Sequence, residues 1–246
     1  MKPIVLIMIL FIFITSMSID KQDNTEEFVK FNETLLVDKY EVSNEDWKNY
    51  LIWLQNEYGK KSNEYKNALP DTLVWRDPLA YNEPYVKYYF SHPTYNRYPV
   101  VGISYEQAID YCNWRTERNK ENEYLKFRLP TKAEWLEIAN IGLSKKYQRK
   151  LIKKKLECQK TINGRIIFGN FNCDIAAITA PVDAYYPNEI GVYNLVGNIA
   201  EIISEKGIAM GGHYQEKLED FTLDKEYHYD SPTDWLGLRC VAEITK

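Results

Sequence analysis

The order of predicted helices and strands along the sequence indicates a fold that mixes a few helices and short strands with long ordered loops. Three capping boxes mark helix starts, because a Ser or Thr stands three residues before an acid or amide at Ser43, Ser104 and Thr131. Apolar runs at Leu35–Val42 and Tyr98–Ile103 are typical of short strands.

The capping boxes fix where each helix begins, and the residues that follow predict how far it runs. The first helix should extend to about Tyr58, with an apolar stripe at three- and four-residue steps. The second should end near Arg118 and the third near Asn140 or Gly142. Residues 59–98 hold several prolines and many tyrosines without periodicity, so we predict long ordered loops there, with the tyrosines covering the core rather than lining a groove.

Composition excludes some classes of protein. The chain has 246 residues, of which 45% are hydrophobic and 14% aromatic, so it is not compositionally disordered. Its net charge of −4 offers no overall basic field for nucleic acid. Residues 145–160 are rich in Lys and Arg; a basic face for anionic lipid or polysaccharide is possible there, but we favour a solvated insert because no aromatic residues are interleaved in the manner of a binding face.

The N-terminus has the pattern of an export signal. Lys2 precedes an unbroken apolar run of 11 residues, Ile4–Ile14, and Ser16–Ser18 offers a small-x-small cleavage site. The run is short for a membrane span, so we predict cleaved export, with a retained membrane anchor as the alternative. The expected organisation is a signal peptide over 1–18, a flexible leader over 19–34 and one domain over 35–246.

Export to an oxidising compartment favours disulfides among the four cysteines, which are Cys112, Cys158, Cys173 and Cys240. Three pairings are possible. We favour Cys112–Cys240 with Cys158–Cys173, because the first bridge would join the end of the chain to its middle. Zinc is the weaker alternative, since the sequence has no CxxC or HxxxH spacing.

Five motifs in series resemble the formylglycine-generating, sulfatase-modifying-factor domain family. They lie at Pro99–Trp114, Arg128–Trp135, Asn194–Glu201, Met210–Tyr214 and Gly237–Val241. The resemblance covers roughly residues 35–246 and implies an α+β fold related to the C-type lectin fold. It also supports the Cys112–Cys240 bridge, since family members often pair cysteines at these two positions.

The front half carries a narrower resemblance. The segments Tyr40–Leu51, Leu69–Gly102 and Cys112–Arg118 are similar to gliding-motility lipoproteins of Bacteroidetes, which work with the type IX secretion machinery. Those proteins use the domain without known sulfatase-modifying chemistry. No cysteine follows the apolar run here, so the lipid attachment site of those proteins is missing.

The resemblance implies copper chemistry that this sequence does not support. Enzymes of the family oxidise a substrate cysteine to formylglycine, using two cysteines shortly after a Gly-Gly strand to bind copper. Counted without gaps from Gly211-Gly212, those positions fall at Glu216 and Phe221, and neither side chain suits soft copper(I). His213 and His228 are the only softer ligands nearby, and we expect hydrogen-bonding or surface roles for them. We therefore predict no catalytic residues and no copper.

Calcium is the cofactor that the resemblance favours. Family members bind it through a segment that corresponds to Asn194, Gly197, Ile199 and Glu201, and side-chain and carbonyl oxygens are the ligands that calcium prefers. A turn stabilised by its own hydrogen bonds is the alternative. A second family site would fall at Asn170, Phe171, Asp174 and Ala176, where the loop is short and Cys173 crowds it.

Two functional hypotheses follow from different classes. The first is a non-catalytic exported module that binds or scaffolds in the bacterial cell envelope, with an envelope protein or a carbohydrate as partner and possible membrane association through the N-terminal segment. A link to gliding motility or type IX secretion belongs to this hypothesis. The second is a formylglycine-generating-type oxidoreductase with an unrecognised active site.

Overall fold

A computed structural model describes residues 27–119, 124–142, 178–185, 187–217 and 220–245. The described chain contains five α-helices, which span Asn44–Tyr58 (α1), Asn63–Asn67 (α2), Glu83–Tyr88 (α3), Tyr105–Arg118 (α4) and Lys132–Gly142 (α5). Short 3₁₀ helices occupy Thr72–Trp75 and Pro93–Tyr95. The prediction of loops alone over 59–98 is therefore wrong in part, because this region folds into short helical turns.

The three predicted capping boxes are confirmed. The Ser43 and Ser104 side chains accept from the backbone at Asp46 and Gln107, whose own side chains reach back to the caps. Thr131 Oγ1 accepts from the Glu134 amide at 3.2 Å, and Glu134 Oε2 accepts from the Thr131 amide at 2.9 Å. Local sequence therefore determines where the three longest helices begin.

The described strands form two four-stranded sheets. The first has the order β1-β2-β8-β3 and is antiparallel throughout, as built from Phe28–Lys30 (β1), Leu35–Asp38 (β2), Leu125–Arg128 (β3) and Val241–Ile244 (β8). The second has the order β6-β5-β4-β7, as built from Ala200–Ile202 (β4), Ile208–Met210 (β5), Tyr227–His228 (β6) and Leu236–Leu238 (β7). Only β4 and β7 run parallel among these pairs. Helices and mostly antiparallel sheets together make an α+β fold.

Two strand predictions need correction. Tyr98–Ile103 forms only an isolated bridge at Pro99, because its backbone amides donate to different parts of the chain. The Val100 amide donates to the Val42 carbonyl, and the Gly102 amide donates to the Thr233 carbonyl. The predicted leader over 19–34 is wrong at Phe28–Lys30, which pairs with β2 as an edge strand.

The buried side chains form three clusters. The largest packs α1 and α4 against both sheets, and it stacks Trp47 on Tyr111 with ring centroids 5.1 Å apart. A second cluster buries the inner face of α5 against β2 and β5. The third gathers tyrosines of the 59–98 region around Trp75 and Tyr89, whose hydroxyl donates to the Pro99 carbonyl at 2.7 Å. Tyr89 therefore belongs to the core, as the sequence predicted for this region.

Cys112 and Cys240 meet inside this core. Cys112 lies on α4 and Cys240 directly precedes β8, and their sulfur atoms are 3.4 Å apart as buried free thiols. A disulfide between these two cysteines stays a prediction, and their proximity supports it. Cys158 and Cys173 lie outside the described residues, as does the basic stretch over 145–160.

Candidate functional site

The loop that leads into β4 carries the predicted calcium segment. Its backbone turns through three residues of positive φ, namely Asn194 (53°), Gly197 (86°) and Asn198 (68°). Asn tolerates this region better than most residues with a side chain, so the two asparagines fit the turn. The turn aims both asparagine side chains into the interior, where they are almost fully buried.

Glu201 is fully engaged by other side chains in this structure. Its Oε1 accepts from Arg239 Nε at 3.0 Å and Nη2 at 2.7 Å, and its Oε2 accepts from Trp135 Nε1 at 2.8 Å. Glu201 and Arg239 are each only 1% exposed in their side chains, so this is a deeply buried ion pair. The Glu201 carboxylate is therefore a structural anchor for β4 and is not open to calcium as the structure stands.

Glu41 is the carboxylate that faces the predicted segment instead. Asn194 Nδ2 donates to Glu41 Oε2 at 3.0 Å, and Asn198 Nδ2 donates to Oε1 and Oε2 at 3.1 and 2.9 Å. Burial raises the pKa of Glu41 to about 8, against the opposing field of Arg239. The sequence analysis missed this residue.

The polar atoms around Glu41 fit a cation in part. Asn194 Oδ1 is buried without a hydrogen-bond partner, which is costly for an amide oxygen. That orphaned oxygen and the Glu41 carboxylate are hard oxygen donors of the kind calcium takes. Among the described residues, no group of three or more His, Cys, Asp and Glu side chains is placed to hold a metal ion. Asn170 and Asp174, from the second predicted site, lie outside the described residues.

The Gly-Gly turn after β5 leads to a second candidate site. Gly211 and Gly212 have φ values of 105° and 77°. A Cβ on Gly211 would lie 3.0 Å from the Leu195 carbonyl oxygen, so a side chain there would press against the calcium-segment loop. The turn therefore brings the chain close to that loop before it continues into His213.

A cavity of about 500 Å³ lies directly beyond this turn. It is lined by His213, Gln215, Glu216, Lys217, Asp220, Lys225 and Tyr227. Its polar centre is Glu216, whose carboxylate accepts from the Lys225 ammonium and from the Tyr227 hydroxyl. The Glu216 side chain is 6% exposed and that of Lys225 is 39% exposed. The cavity therefore presents the ammonium toward solvent and keeps the carboxylate beneath it.

Aromatic rings fix His213 at one side of this cavity. Its ring stacks on Trp235 with centroids 4.7 Å apart and meets Tyr227 edge-on at 5.4 Å. Burial, helped by the nearby Lys225 charge, lowers the pKa of His213 to about 4, so the imidazole is neutral near pH 7. Its Nδ1 is buried without a partner. His228 follows Tyr227 on β6 and is exposed, with Nε2 3.7 Å from a Glu226 oxygen.

The two positions at which the family resemblance places copper cysteines fall in or near this cavity. Glu216 lines it, and Phe221 is buried at 5% exposure. Nothing in the spacing alone predicted that Glu216 would pair with Lys225 and Tyr227, because Tyr227 lies on β6 and Lys225 in the segment just before it.

The comparison with known proteins defines the class. The family profile described as "Sulfatase-modifying factor enzyme 1-like domain" matches residues 13–244, and the chain belongs to that family. The formylglycine-generating enzyme of Mus musculus is 29% identical over an alignment of 177 residues that covers 60% of this chain and 45% of that protein. The protein named inactive C-alpha-formylglycine-generating enzyme 2 of Bos taurus is 35% identical over 107 residues, or 42% of this chain and 32% of that protein. The chain thus spans less than half the length of these curated relatives.

Solved structures confirm the fold. CarF superposes with a TM-score of 0.57 at 18% identity, covering 85% of this chain and 86% of that chain. PvdO from Pseudomonas aeruginosa gives a TM-score of 0.52 at 17% identity, covering 85% and 80%. At these identities the likeness concerns the fold alone. Within the described part of the chain, no helix has the length and apolar character needed to cross a membrane.

Proposed function

We propose that this chain is a non-catalytic binding module of the bacterial cell envelope, built on the sulfatase-modifying-factor fold. The observation that carries the proposal is the chemistry at Glu216 and Phe221, where the family resemblance places two copper-binding cysteines. The Glu216 carboxylate is a hard oxygen ligand that already accepts hydrogen bonds from Lys225 and Tyr227, and the Phe221 side chain has no atom that can bind a metal. Copper(I) is soft and prefers sulfur, so this pair is a poor copper site.

The family itself offers a precedent for lost activity. One of the relatives in Bos taurus bears the name of an inactive formylglycine-generating enzyme. A fold of long ordered loops can keep its shape while the residues on its surface change, so a binding role remains open to it after the chemistry is lost. We therefore place the function of this chain on its cavity and loops rather than on a reaction.

The envelope location rests on the N-terminal sequence. The apolar run Ile4–Ile14 has the length of the apolar region of a signal peptide, and an exported domain of this kind would meet envelope proteins or carbohydrate. The similarity of the front half to gliding-motility lipoproteins supports a link to gliding motility or type IX secretion. A possible membrane association would come through the N-terminal segment.

We propose calcium as the cofactor of the loop that leads into β4. Asn194 Oδ1 and the Glu41 carboxylate would supply side-chain oxygens. The backbone carbonyls of Gly197 and Ile199, both in the predicted set, would supply two more oxygens. Bound calcium would order this loop and compensate the buried Glu41 charge. Glu201 is the remaining member of the predicted set, and it would join only if it left Arg239.

The calcium proposal predicts a rise in melting temperature on adding calcium at about pH 8, where about half of the Glu41 carboxyl group is ionised. The rise should disappear in Glu41→Gln. A Glu106→Gln variant is the matched control, because Glu106 is an exposed acid paired with Lys206, and it should keep the calcium effect. An equal rise in Glu41→Gln would contradict the assignment. Glu201→Ala is a less direct test, since it also breaks the Arg239 pair.

Oxygen consumption tests the non-catalytic proposal. The purified protein, loaded with copper and given a cysteine-containing peptide, should consume no oxygen above the rate of free copper. A formylglycine-generating enzyme assayed in parallel is the positive control. Copper-dependent consumption that is lost in His213→Ala would show an oxidoreductase and overturn the proposal.

A further inference from the structure

We propose that the cavity beside His213 binds a ligand carboxylate, which accepts hydrogen bonds from the Lys225 ammonium and the His213 imidazole. This inference rests on the proposal that the cavity is not a copper site. It names the chemistry that the cavity recognises instead.

The charged groups of the cavity are arranged in depth. Glu216 lies underneath, and both of its oxygens are taken, one by Lys225 Nζ and one by the Tyr227 hydroxyl. Lys225 lies above it with a second bond to the Asp220 carbonyl at 3.3 Å. An ammonium has three donors, so Lys225 keeps one for a ligand. Lys217 and Asp220 also line the cavity and are exposed, and their opposite charges offset each other. A carboxylate that enters beside Lys225 therefore meets a positioned cation before it meets the buried Glu216.

His213 supplies the second contact. A neutral imidazole carries one N–H donor, and no hydrogen-bond partner within the described chain is assigned to the Nδ1 atom of this ring. A buried polar atom without a partner is destabilising, and a ligand oxygen would remove that cost once the ring turns its donor toward the cavity. Stacking on Trp235 keeps the imidazole plane at the cavity wall.

The body of the ligand has an apolar surface to cover. The rings that line the cavity are those of Tyr227 and His213, and the Lys225 ammonium lies 5.1 Å from the Tyr227 ring centroid. Planar groups pack well against such rings. At about 500 Å³ the cavity is within the usual range for small-ligand sites. An aromatic carboxylate therefore fits the donors and the rings together.

Such a carboxylate has two sources, a free small molecule or the C-terminus of a peptide chain. Benzoate and an acetylated Gly-Gly-Phe peptide probe the two sources, and the same peptide with an amidated C-terminus removes the carboxylate. Isothermal titration of the full chain with each probe near pH 7 measures the binding. We expect benzoate, the free-acid peptide or both to bind, and the amide to bind at least about tenfold more weakly.

Variants assign the binding to Lys225. Lys225→Met keeps the length of the side chain but removes the ammonium, and it should weaken binding by about tenfold or more, whereas Lys225→Arg should retain most of it. Lys206→Met is the matched control, because Lys206 also pairs with a glutamate and lies over a tyrosine ring, 5.8 Å from the Tyr105 centroid. Binding by Lys206→Met should equal that of the wild type.

The inference fails if neither carboxylate probe binds at millimolar concentrations, or if the amidated peptide binds as well as the free acid. It also fails if a folded Lys225→Met variant binds the probes as tightly as the wild type does. Circular dichroism of each variant shows whether it is folded, and Lys225→Arg keeps the test decisive if Lys225→Met unfolds. The oxygen-consumption assay distinguishes this failure from that of the proposed function. No oxygen uptake together with no carboxylate binding removes only the present inference.

Discussion

At the scale of single residues, the Glu201–Arg239 pair is the most deeply buried ion pair among the described residues. Arg239 also donates to the backbone carbonyls of Asp38 and Tyr193 at 3.0 and 2.7 Å, so one guanidinium joins β4, the end of β2 and the loop before Asn194. A buried charge that loses its partner is strongly destabilising, because neither water nor another group compensates it.

Arg239→Met should therefore lower the free energy of unfolding by about 3–5 kcal/mol, as measured by urea denaturation. Arg97→Met is the control, since the Arg97–Asp183 pair is also a short contact of 2.6 Å but its side chains are 54% and 43% exposed. The control should change stability by no more than about 1 kcal/mol. Equal losses in the two variants would show that burial does not set the strength of the Arg239 contact.

The buried imidazole of His213 predicts a pH dependence of stability. Its folded pKa of about 4 lies below the ordinary value of 6.5, so the unfolded chain binds more protons between these values. The stability contributed by this group is complete above about pH 6.5 and is lost as the pH falls toward 4. The loss should amount to roughly 1–3 kcal/mol, discounted for partial exposure.

Denaturation curves at several pH values test this sign. His213→Gln should lose less stability than the wild type between pH 6.5 and 4, because it lacks the group that must take up a proton on unfolding. The exposed His228 gives the control, and His228→Gln should follow the wild type. A steeper loss in His213→Gln would reverse the sign and contradict the burial of the neutral ring.

At the scale of elements, the three longest helices were predictable, whereas the short helices α2 and α3 and the candidate sites were not. A capping box is a contact within four residues, so Ser43, Ser104 and Thr131 disclosed α1, α4 and α5 directly. Glu41, by contrast, contacts a side chain 153 residues further along the chain. In the sequence, Glu41 was only an acid near the end of the predicted strand Leu35–Val42, and only packing showed that it is buried.

The false strand at Tyr98–Ile103 shows the same limit. Its apolar pattern reflects burial, since Val100 and Ile103 are fully enclosed, but its hydrogen bonds reach several elements instead of one partner strand. Strand formation depends on a partner that local sequence does not specify. The edge strand at Phe28–Lys30 was not predicted because it lies in a polar segment of the sequence. It forms by pairing with β2.

Gly102 provides a prediction at this scale. It has a φ of 74°, and a Cβ there would lie 2.2 Å from the Asp71 carbonyl oxygen. Gly59 has a similar φ of 88° with nothing within 4 Å of a Cβ. Gly59→Ala should cost about 1–2 kcal/mol from backbone strain alone. Gly102→Ala should cost at least about 1 kcal/mol more, from the added clash, as measured by thermal unfolding. Equal losses of stability in Gly102→Ala and Gly59→Ala would mean that the backbone at Asp71 moves freely away from residue 102.

At the scale of the whole molecule, the chain has the fold of its family, and the comparisons with solved structures confirm the architecture. The family motifs disclosed this much from sequence, because a shared fold is carried by many residues. The partners of Glu216 come from β6 and the segment just before it, so no motif predicted them.

The central claim is that the position where the family resemblance places the copper cysteines does not bind copper(I), and anaerobic copper(I) titration against a chromophoric chelator tests it most directly. Cys158→Ser/Cys173→Ser is the form to titrate, since these two cysteines lie outside the described residues and could bind copper on their own. We expect this protein to leave the metal with the chelator. Tight binding of one copper(I) per chain that is abolished by His213→Ala would contradict the account.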